Sequence, residues 1–309
     1  MIMVHGESLD VLGLPSVLPG QIRRAELFGI DDGVVLGMDD CSAIIMPHGG
    51  IAIVRQICAK LTDLGWGQRS FVEPTKTYPE ASNEIEAWCM HALSLVSSPM
   101  GVDVLLDHAG RWHKQGIASL HEAESLGRTS GVLDRLLQLP TVVAVGRANI
   151  GKSSLLNTLV GQRVALVADV AGTTRDHVGV PVDLGGLVVR WIDTPGVDER
   201  IEDADEIIIA TRVIQHADLV LHCIDSSDDA GRLDPRIEGC LDERIGIVRV
   251  GMRSDLGSHL SEVDVRICTG SHPAGIEDLV GTVRDRLVPP QELRDPSPWR
   301  FWTSLRCDA

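Results

Sequence analysis

Gly146, Gly151, Lys152 and Ser153 have spacing that could do chemistry. They fall in Gly146-Arg147-Ala148-Asn149-Ile150-Gly151-Lys152-Ser153, a GxxxxGKS pattern. Glycines in such a run let the backbone wrap closely, so that successive N–H groups aim inward at phosphate oxygens. Asn149, Ile150, Gly151 and Ser154 then line the wrap. Lys152 neutralises the β and γ phosphates, Ser153 holds Mg2+, and a following helix adds its N-terminal dipole. Two more segments follow in an order that fits a nucleoside triphosphate. Gly172-Thr173-Thr174-Arg175-Asp176 offers Thr173 and Thr174, of which Thr174 can reach Mg2+ and the γ phosphate, and Arg175, which can stabilise charge or form a structural salt bridge. Asp193-Thr194-Pro195-Gly196 has the DxxG form, with Asp193 reaching Mg2+ through water and the Gly196 N–H sensing the γ phosphate.

Base selection is the less regular part. A guanine site usually carries NKxD after a strand, with its aspartate hydrogen-bonded to guanine N1 and N2. After IGIVRVG this chain has Met252-Arg253-Ser254-Asp255, so Asp255 keeps its place while Met and Arg replace Asn and Lys. A charge-assisted pair contributes roughly 1.5–3 kcal/mol and a lost neutral hydrogen bond costs about 1 kcal/mol. Guanine preference is therefore expected to persist with weaker affinity, and GTP or GDP is the expected ligand. Cys268-Thr269-Gly270 sits where a loop supports the base. Val197 stands after DTPG where other GTPases place glutamine, and an apolar side chain cannot orient water.

These residues need strands and helices to place them. VVAV precedes the glycine-rich run and Ser154–Leu159 follows it with a helical pattern. Strand-like runs recur at 141–145, 187–192, 217–225, 246–251 and 263–268, with helical patterns between them. That alternation predicts a doubly wound, mostly parallel sheet with helices on both faces, the architecture of a P-loop NTPase. Residues 177–183 and 187–192 flank Gly185–Gly186, predicting one antiparallel hairpin.

Upstream, Ala43–Met46, the turn Pro47–Gly50 and a helical face of Val54, Ile57, Cys58 and Leu61 predict a small α+β unit over 1–75. Asn83 and Glu86 resemble a capping box, opening a helical segment over 76–139. Its second helix is expected from about Val102 to Ala123 and its third over Val132–Leu139. The G domain is placed at 140–288, with a proline-rich tail at 289–309. His48 reads as a turn residue, and His108 and His113, at i, i+5, receive no shared role.

The net charge of −16 argues against an extended nucleic-acid groove and leaves room for a local basic patch at most. No apolar run approaches the roughly 20 residues of a membrane span. Seven scattered cysteines without a CxxC pair fit a reducing compartment, and a cytoplasmic location is expected.

The run GRANIGKSSLLNTLVGQRVALVADVAGTTRD…DTPG resembles the tRNA-modification GTPase family (MnmE/TrmE) and its Era-like relatives most strongly over 137–225. DDGVV at 31–35 and PHGG at 47–50 resemble that family's N-terminal folate-binding domain, and the helices at 80–125 a shortened form of its helical domain. The resemblance implies that Asn149, with carbonyls of Asp169–Thr173, holds K+ against the phosphates in place of an arginine finger. It implies an acidic catalytic residue among Asp203, Asp205 and Glu206, which the sequence does not separate. It also implies a homodimer through the N-terminal and G domains, a flavoprotein partner, folate and tRNA. Two departures count against the wider activity. The family's cysteine-containing C-terminal motif is missing, since Cys307 does not match it in context, and the stretch between DDGVV and HGG is compressed, which counts against the folate pocket. Three readings follow: a K+-assisted, Mg2+-dependent GTPase, a folate-using tRNA-modifying enzyme, and a nucleotide-binding module that does not hydrolyse.

Overall fold

The computed structural model describes residues 2–5, 14, 17–39, 42–66, 73–161, 179–194, 196, 204–227, 235–241, 244–257, 262–270 and 272–306. The chain divides into two compact units, Met1–Val72 and Glu73–Ala309.

In the first unit, β1 (Ile2–His5), β2 (Ile22–Leu27), β3 (Asp31–Asp39) and β4 (Ser42–Pro47) form an antiparallel sheet in the order β1-β4-β3-β2. Helix α1 (Ile51–Asp63) covers it, because Ile57 and Leu61 share one helical face and bury against Val4, Leu27, Val35 and Ile45. The backbone N–H of His48 donates to Asp31 Oδ2 at 2.8 Å, and the two side chains pair at 3.2 Å, so this histidine braces the turn between β4 and α1.

The second unit opens with α2 (Pro74–Thr77), α3 (Glu84–Leu95) and α4 (Pro99–Lys114). Asn83 caps α3 by accepting the Glu86 N–H at 3.0 Å, while the Glu86 carboxylate takes the N–H of Ser82, one residue before the position a full capping box requires. The helix expected from Val102 to Ala123 is two helices. α4 ends at Lys114, Gly116 turns the chain at φ 75°, and a capping box of Ser119 and Glu122 starts α5 (Leu120–Ala123). Two competing local stop and start signals override the continuous apolar pattern. After α6 (Gly131–Asp134), Arg135 reaches Asp218 at 3.2 Å and the Leu287 carbonyl at 2.9 Å, and the other Asp218 oxygen accepts the Thr141 N–H.

From Thr141 the strands are β5 (Thr141–Val145), β6 (Val180–Asp183), β7 (Val188–Asp193), β8 (Leu219–Asp225), β9 (Gly246–Met252) and β10 (Val265–Arg266). Their helices are α7 (Lys152–Leu159), α8 (Ala204–Gln215), α9 (Pro235–Glu238) and α10 (Ile276–Leu287). The sheet order is β10-β9-β8-β5-β7-β6, parallel except for the β6–β7 hairpin. Val143, Val145 and Val220 on one sheet face pack with Ala210, Val213 and Ile214 of α8. At the hairpin turn Gly185 and Gly186 have φ 66° and 98°, as a two-residue turn between right-twisted strands requires. That turn is fastened to the start of α4: Met100 N–H donates to the Gly186 carbonyl at 3.0 Å, and Val188 N–H to the buried Ser98 hydroxyl at 3.0 Å.

The proline-rich stretch after 289 is folded onto the helical segment. It forms α11 (Pro290–Arg294) and α12 (Trp302–Arg306), and Trp299, Phe301 and Trp302 are fully buried beside Trp112 and His108. Removing that aromatic area from water is what holds the proline-rich stretch PPQELRDPSP against the helices. Trp299 N–H donates to His108 Nε2 at 2.7 Å and its indole N–H to Asp134 at 3.1 Å. Truncating Trp299 to Ala should cost about 3–5 kcal/mol, checked by denaturant unfolding; a loss under 1 kcal/mol contradicts the packing.

Burial pushes His108 down to about 4 against the opposing Trp299 hydrogen bond, and burial with the nearby Arg249 charge pushes His222 down to about 4. Both rings stay neutral in the fold, whereas an unfolded histidine protonates near pH 6.5. The unfolded chain therefore binds more protons between those values, so stability is full above about pH 6.5 and falls as pH drops toward 4. The melting temperature should be lower at pH 5 than at pH 7, with a smaller gap in His222→Leu; an unchanged gap speaks against a neutral buried ring.

Candidate functional site

The phosphate loop leaves β5 at Val145 and enters α7 at Lys152. Gly146 passes so close to β8 that a Cβ there would lie 2.4 Å from the Cys223 carbonyl oxygen, which only glycine avoids. Asn149 and Gly151 take positive φ of 61° and 106°, turning the backbone twice before α7 begins. Ile150 is 5% exposed and anchors the loop on the core, while Ser154 faces outward on the first turn of α7.

Lys152 is 6% exposed, and its Nζ donates to the Gly146 and Arg147 carbonyls at 3.1 and 3.0 Å. Burial lowers its pKa, and the Asp193 charge works against that fall. A buried ammonium whose recorded hydrogen bonds go to backbone carbonyls still gains strongly from an anion drawn into the same loop.

Ser153 Oγ donates to Asp193 Oδ2 at 2.5 Å, joining the start of α7 to the end of β7. The other carboxylate oxygen, Asp193 Oδ1, is buried without a hydrogen-bond partner. A hydroxyl and a carboxylate, one of whose oxygens is orphaned and buried, form a hard donor set. Mg2+ commonly takes just one or two protein ligands beside phosphate and water, so these residues fit that ion. Among the described residues no cluster of three or more His, Cys, Asp or Glu forms a metal cage. Thr194 holds the strand end in place, its hydroxyl donating to the Ala144 carbonyl at 2.7 Å. Gly196 lies against the loop so tightly that a Cβ would sit 2.3 Å from Ala148 Cα. The DxxG segment and the GxxxxGKS loop are thus brought together.

The segment read from sequence as base-selecting follows β9. β9 ends at Met252, 1% exposed, with its Cε 3.3 Å from where a Gly151 Cβ would stand. Arg253 takes φ 55° and leads into the single turn Ser254–Leu256, which carries Asp255 exposed. The Ser254 N–H donates to the Ile267 carbonyl at 3.1 Å, so the turn rests on the strand that leads to Cys268-Thr269-Gly270. The Gly270 N–H points at Cys268 Sγ, 3.5 Å away, and the Thr269 hydroxyl oxygen is 3.8 Å from the Gly151 Cβ position. The loop read from sequence as a base support therefore sits beside the phosphate loop.

Sequence reading missed one connection. Arg253 Nη1 donates to Asp225 Oδ2 at 3.0 Å, and its Nη2 donates to the Asn149 carbonyl. The signal was present as an acid within CIDSS and a base in MRSD, but nothing in either motif said that they meet. Thr173, Thr174, Arg175, the Asp169–Thr173 loop and Asp203 lie outside the described residues, and Asp205 and Glu206 are placed on α8 by backbone alone.

Residues 141–250 match the family described as "50S ribosome-binding GTPase". The chain is 31% identical over 178 residues to the tRNA modification GTPase MnmE of Burkholderia mallei (strain SAVP1), covering 53% of this chain and 38% of that protein. It is 30% identical over 216 residues to the MnmE of Janthinobacterium sp. (strain Marseille), covering 68% and 41%. It thus spans about two fifths of the length of these curated relatives. Among solved structures, Aquifex aeolicus Era bound to GDP.AlF4- is 25% identical with a TM-score of 0.34, covering 48% of this chain and 56% of that one. The FeoB G-domain from Methanococcus jannaschii is 20% identical with a TM-score of 0.37, covering 48% and 97%. At these scores the structural likeness carries no argument of its own. Strand order, phosphate loop and family match together make the region from β5 to β9 part of a P-loop GTPase domain.

Proposed function

We propose that this chain binds GTP and hydrolyses it to GDP and phosphate, with Mg2+ and with K+ assistance, and that it is related in function to the GTPases of tRNA wobble-uridine modification. One observation carries the first part: the buried Lys152 ammonium, the Ser153–Asp193 pair and the Gly196 backbone converge on one loop. Lys152 binds the β and γ phosphates, loop amides orient them, and Ser153 with Asp193 holds Mg2+, which supplies positive charge to the developing phosphate oxygens. Thr174 and Arg175 are assigned to the same γ phosphate by sequence order. Asn149 is the proposed K+ ligand, and its positive φ directs the loop without a glycine at that position. Asp255 takes guanine N1 and N2.

The names of the relatives support a second, wider reading in which the chain takes part in tRNA modification; folate, a flavoprotein partner and a homodimer enter that reading from the motif resemblance alone. Complementation of a strain lacking the modification, followed by nucleoside analysis, separates the two; restored nucleoside favours the wider reading.

Calorimetry with GTP, GDP and ATP in K+ and Mg2+ buffer should show micromolar or tighter GTP binding and weaker ATP binding. Lys152→Ala should abolish GTP binding, and unchanged affinity contradicts the phosphate-loop assignment. Steady-state hydrolysis, expected on the order of 10⁻⁴ s⁻¹ without assistance, should rise severalfold when KCl replaces NaCl; equal rates remove the K+ role.

A further inference from the structure

Nε2 of His108 stands between the two backbone groups of a single residue. It lies 2.7 Å from the Trp299 nitrogen and 2.9 Å from the Trp299 carbonyl oxygen. The histidine is 1% exposed, and its other ring nitrogen, Nδ1, is buried without a hydrogen-bond partner. Trp112, Trp299 and Phe301 enclose the ring and bring no anion to it. A neutral imidazole suits this place, because Nε2 accepts the Trp299 N–H. An imidazolium does not, since it carries a hydrogen on each nitrogen. The hydrogen on Nε2 then meets the Trp299 N–H, and the one on Nδ1 has no acceptor. The Trp299 carbonyl alone offsets a buried charge.

The charged groups around the ring do not rescue it. On α4, Asp107 is turned to Arg111 at 2.8 Å, and Arg111 also donates to the Asp295 carbonyl at 2.7 Å. Arg128, between α5 and α6, pairs with Glu292 at 2.8 Å and Asp295 at 3.4 Å. Asp134 of α6 accepts the Trp299 indole N–H at 3.1 Å, and Arg300 donates to the Glu124 carbonyl at 2.7 Å. The carboxylates are thus engaged elsewhere, while Arg111 and Arg128 repel a further positive charge. Both hydrogen-bond partners of Nε2 belong to residues 289–306, a short strap that follows α10. Its neighbouring ties are few: Arg128 N–H to the Pro298 carbonyl at 3.1 Å, and Arg300 N–H to the Arg128 carbonyl at 2.9 Å. A short terminal segment held at so few points is the kind that opens locally, ahead of the fold as a whole.

We propose that residues 289–306 form a proton-released strap: a proton taken up by His108 breaks its bond to the Trp299 N–H, and the strap leaves α4 and uncovers Trp112 while the G domain stays folded. The inference is independent of the nucleotide reading. Burial, with the Arg111 and Arg128 charges, holds the docked ring at about 4 against the Trp299 carbonyl and Asp107. A released, solvated histidine titrates near 6.5. The docked state therefore binds fewer protons, so docking is at full strength above about pH 6.5 and weakens as pH falls toward 4. Asp134 works the other way: burial raises it against its bonds to Trp299 and Ser304, which favours docking as the solution becomes more acid. Asp295, held low by its Ser297 hydrogen bonds and by Arg128 and Arg111, keeps its charge through that window.

The test is amide hydrogen exchange on the full chain at pH 7 and pH 5, corrected for the pH dependence of chemical exchange. Protection of the Trp299 and Arg300 amides should fall about twentyfold between the two, the factor set by the two histidine values. Protection in β5, β8 and α10 should stay within about twofold of its pH 7 value, as for local opening. His108→Gln presents an amide to the same two Trp299 groups and takes up no proton, so its strap should keep the same protection at both pH values. Unchanged strap protection in the unsubstituted chain overturns the proposal. So does an equal loss in β8 and α10, which marks global unfolding, and so does the same fall in His108→Gln. The comparison within the unsubstituted chain needs no variant, so it decides even if His108→Gln folds poorly.

Discussion

The contact between Ser153 Oγ and Asp193 Oδ2 is the point on which the site turns, because it exists only if β5 and β7 are parallel neighbours in one particular register. Ala144 pairs with Asp193, so both strands deliver their C-terminal ends, and the loops that follow, to the same edge of the sheet. Thr194 locks that pairing by bonding the Ala144 carbonyl through its hydroxyl. A slip of one residue would send the Asp193 carboxylate to the opposite face of the sheet, away from Ser153. Sheet topology thus does the placing, and the polar side chains need little reach.

Electrostatics then decide what the site favours. An ammonium as buried as Lys152 is costly without compensation, and carbonyl oxygens compensate it only in part. The Cys223 thiol alongside is pushed up to about 12 by burial, so it stays neutral and adds no competing anion. The loop therefore carries net positive character inside a chain of net charge −16, which makes the phosphate site a local exception to the acidic whole.

Much of this was legible in the sequence. The six G-domain strands fall within a few residues of the runs read from periodicity, because fully buried parallel strands such as VVAV leave little ambiguity once a glycine loop follows. The Asn83 cap and the glycine hairpin were equally local signals. What was not legible depended on distant partners. The helix expected over 102–123 is broken at Gly116 by local signals that an apolar count overlooks. The stretch from 289 onward read as a proline-rich tail, and its three buried aromatics found their surface on α4, nearly two hundred residues earlier. Arg253 and Asp225 were each visible, but their meeting required the strand order β9-β8-β5.

The hairpin between the two candidate switch segments has its turn tied to the start of α4 through Gly186 and Val188. A ribbon pinned at its closed end cannot ratchet along its neighbour without tearing both ties and turning Val189 and Trp191 outward. Its open ends lead to GTTRD on one side and DTPG on the other, and the DTPG end is held against β5 by the Ala144–Asp193 pairing and the Thr194 hydroxyl, so the ribbon is fastened both at its turn and at its exit.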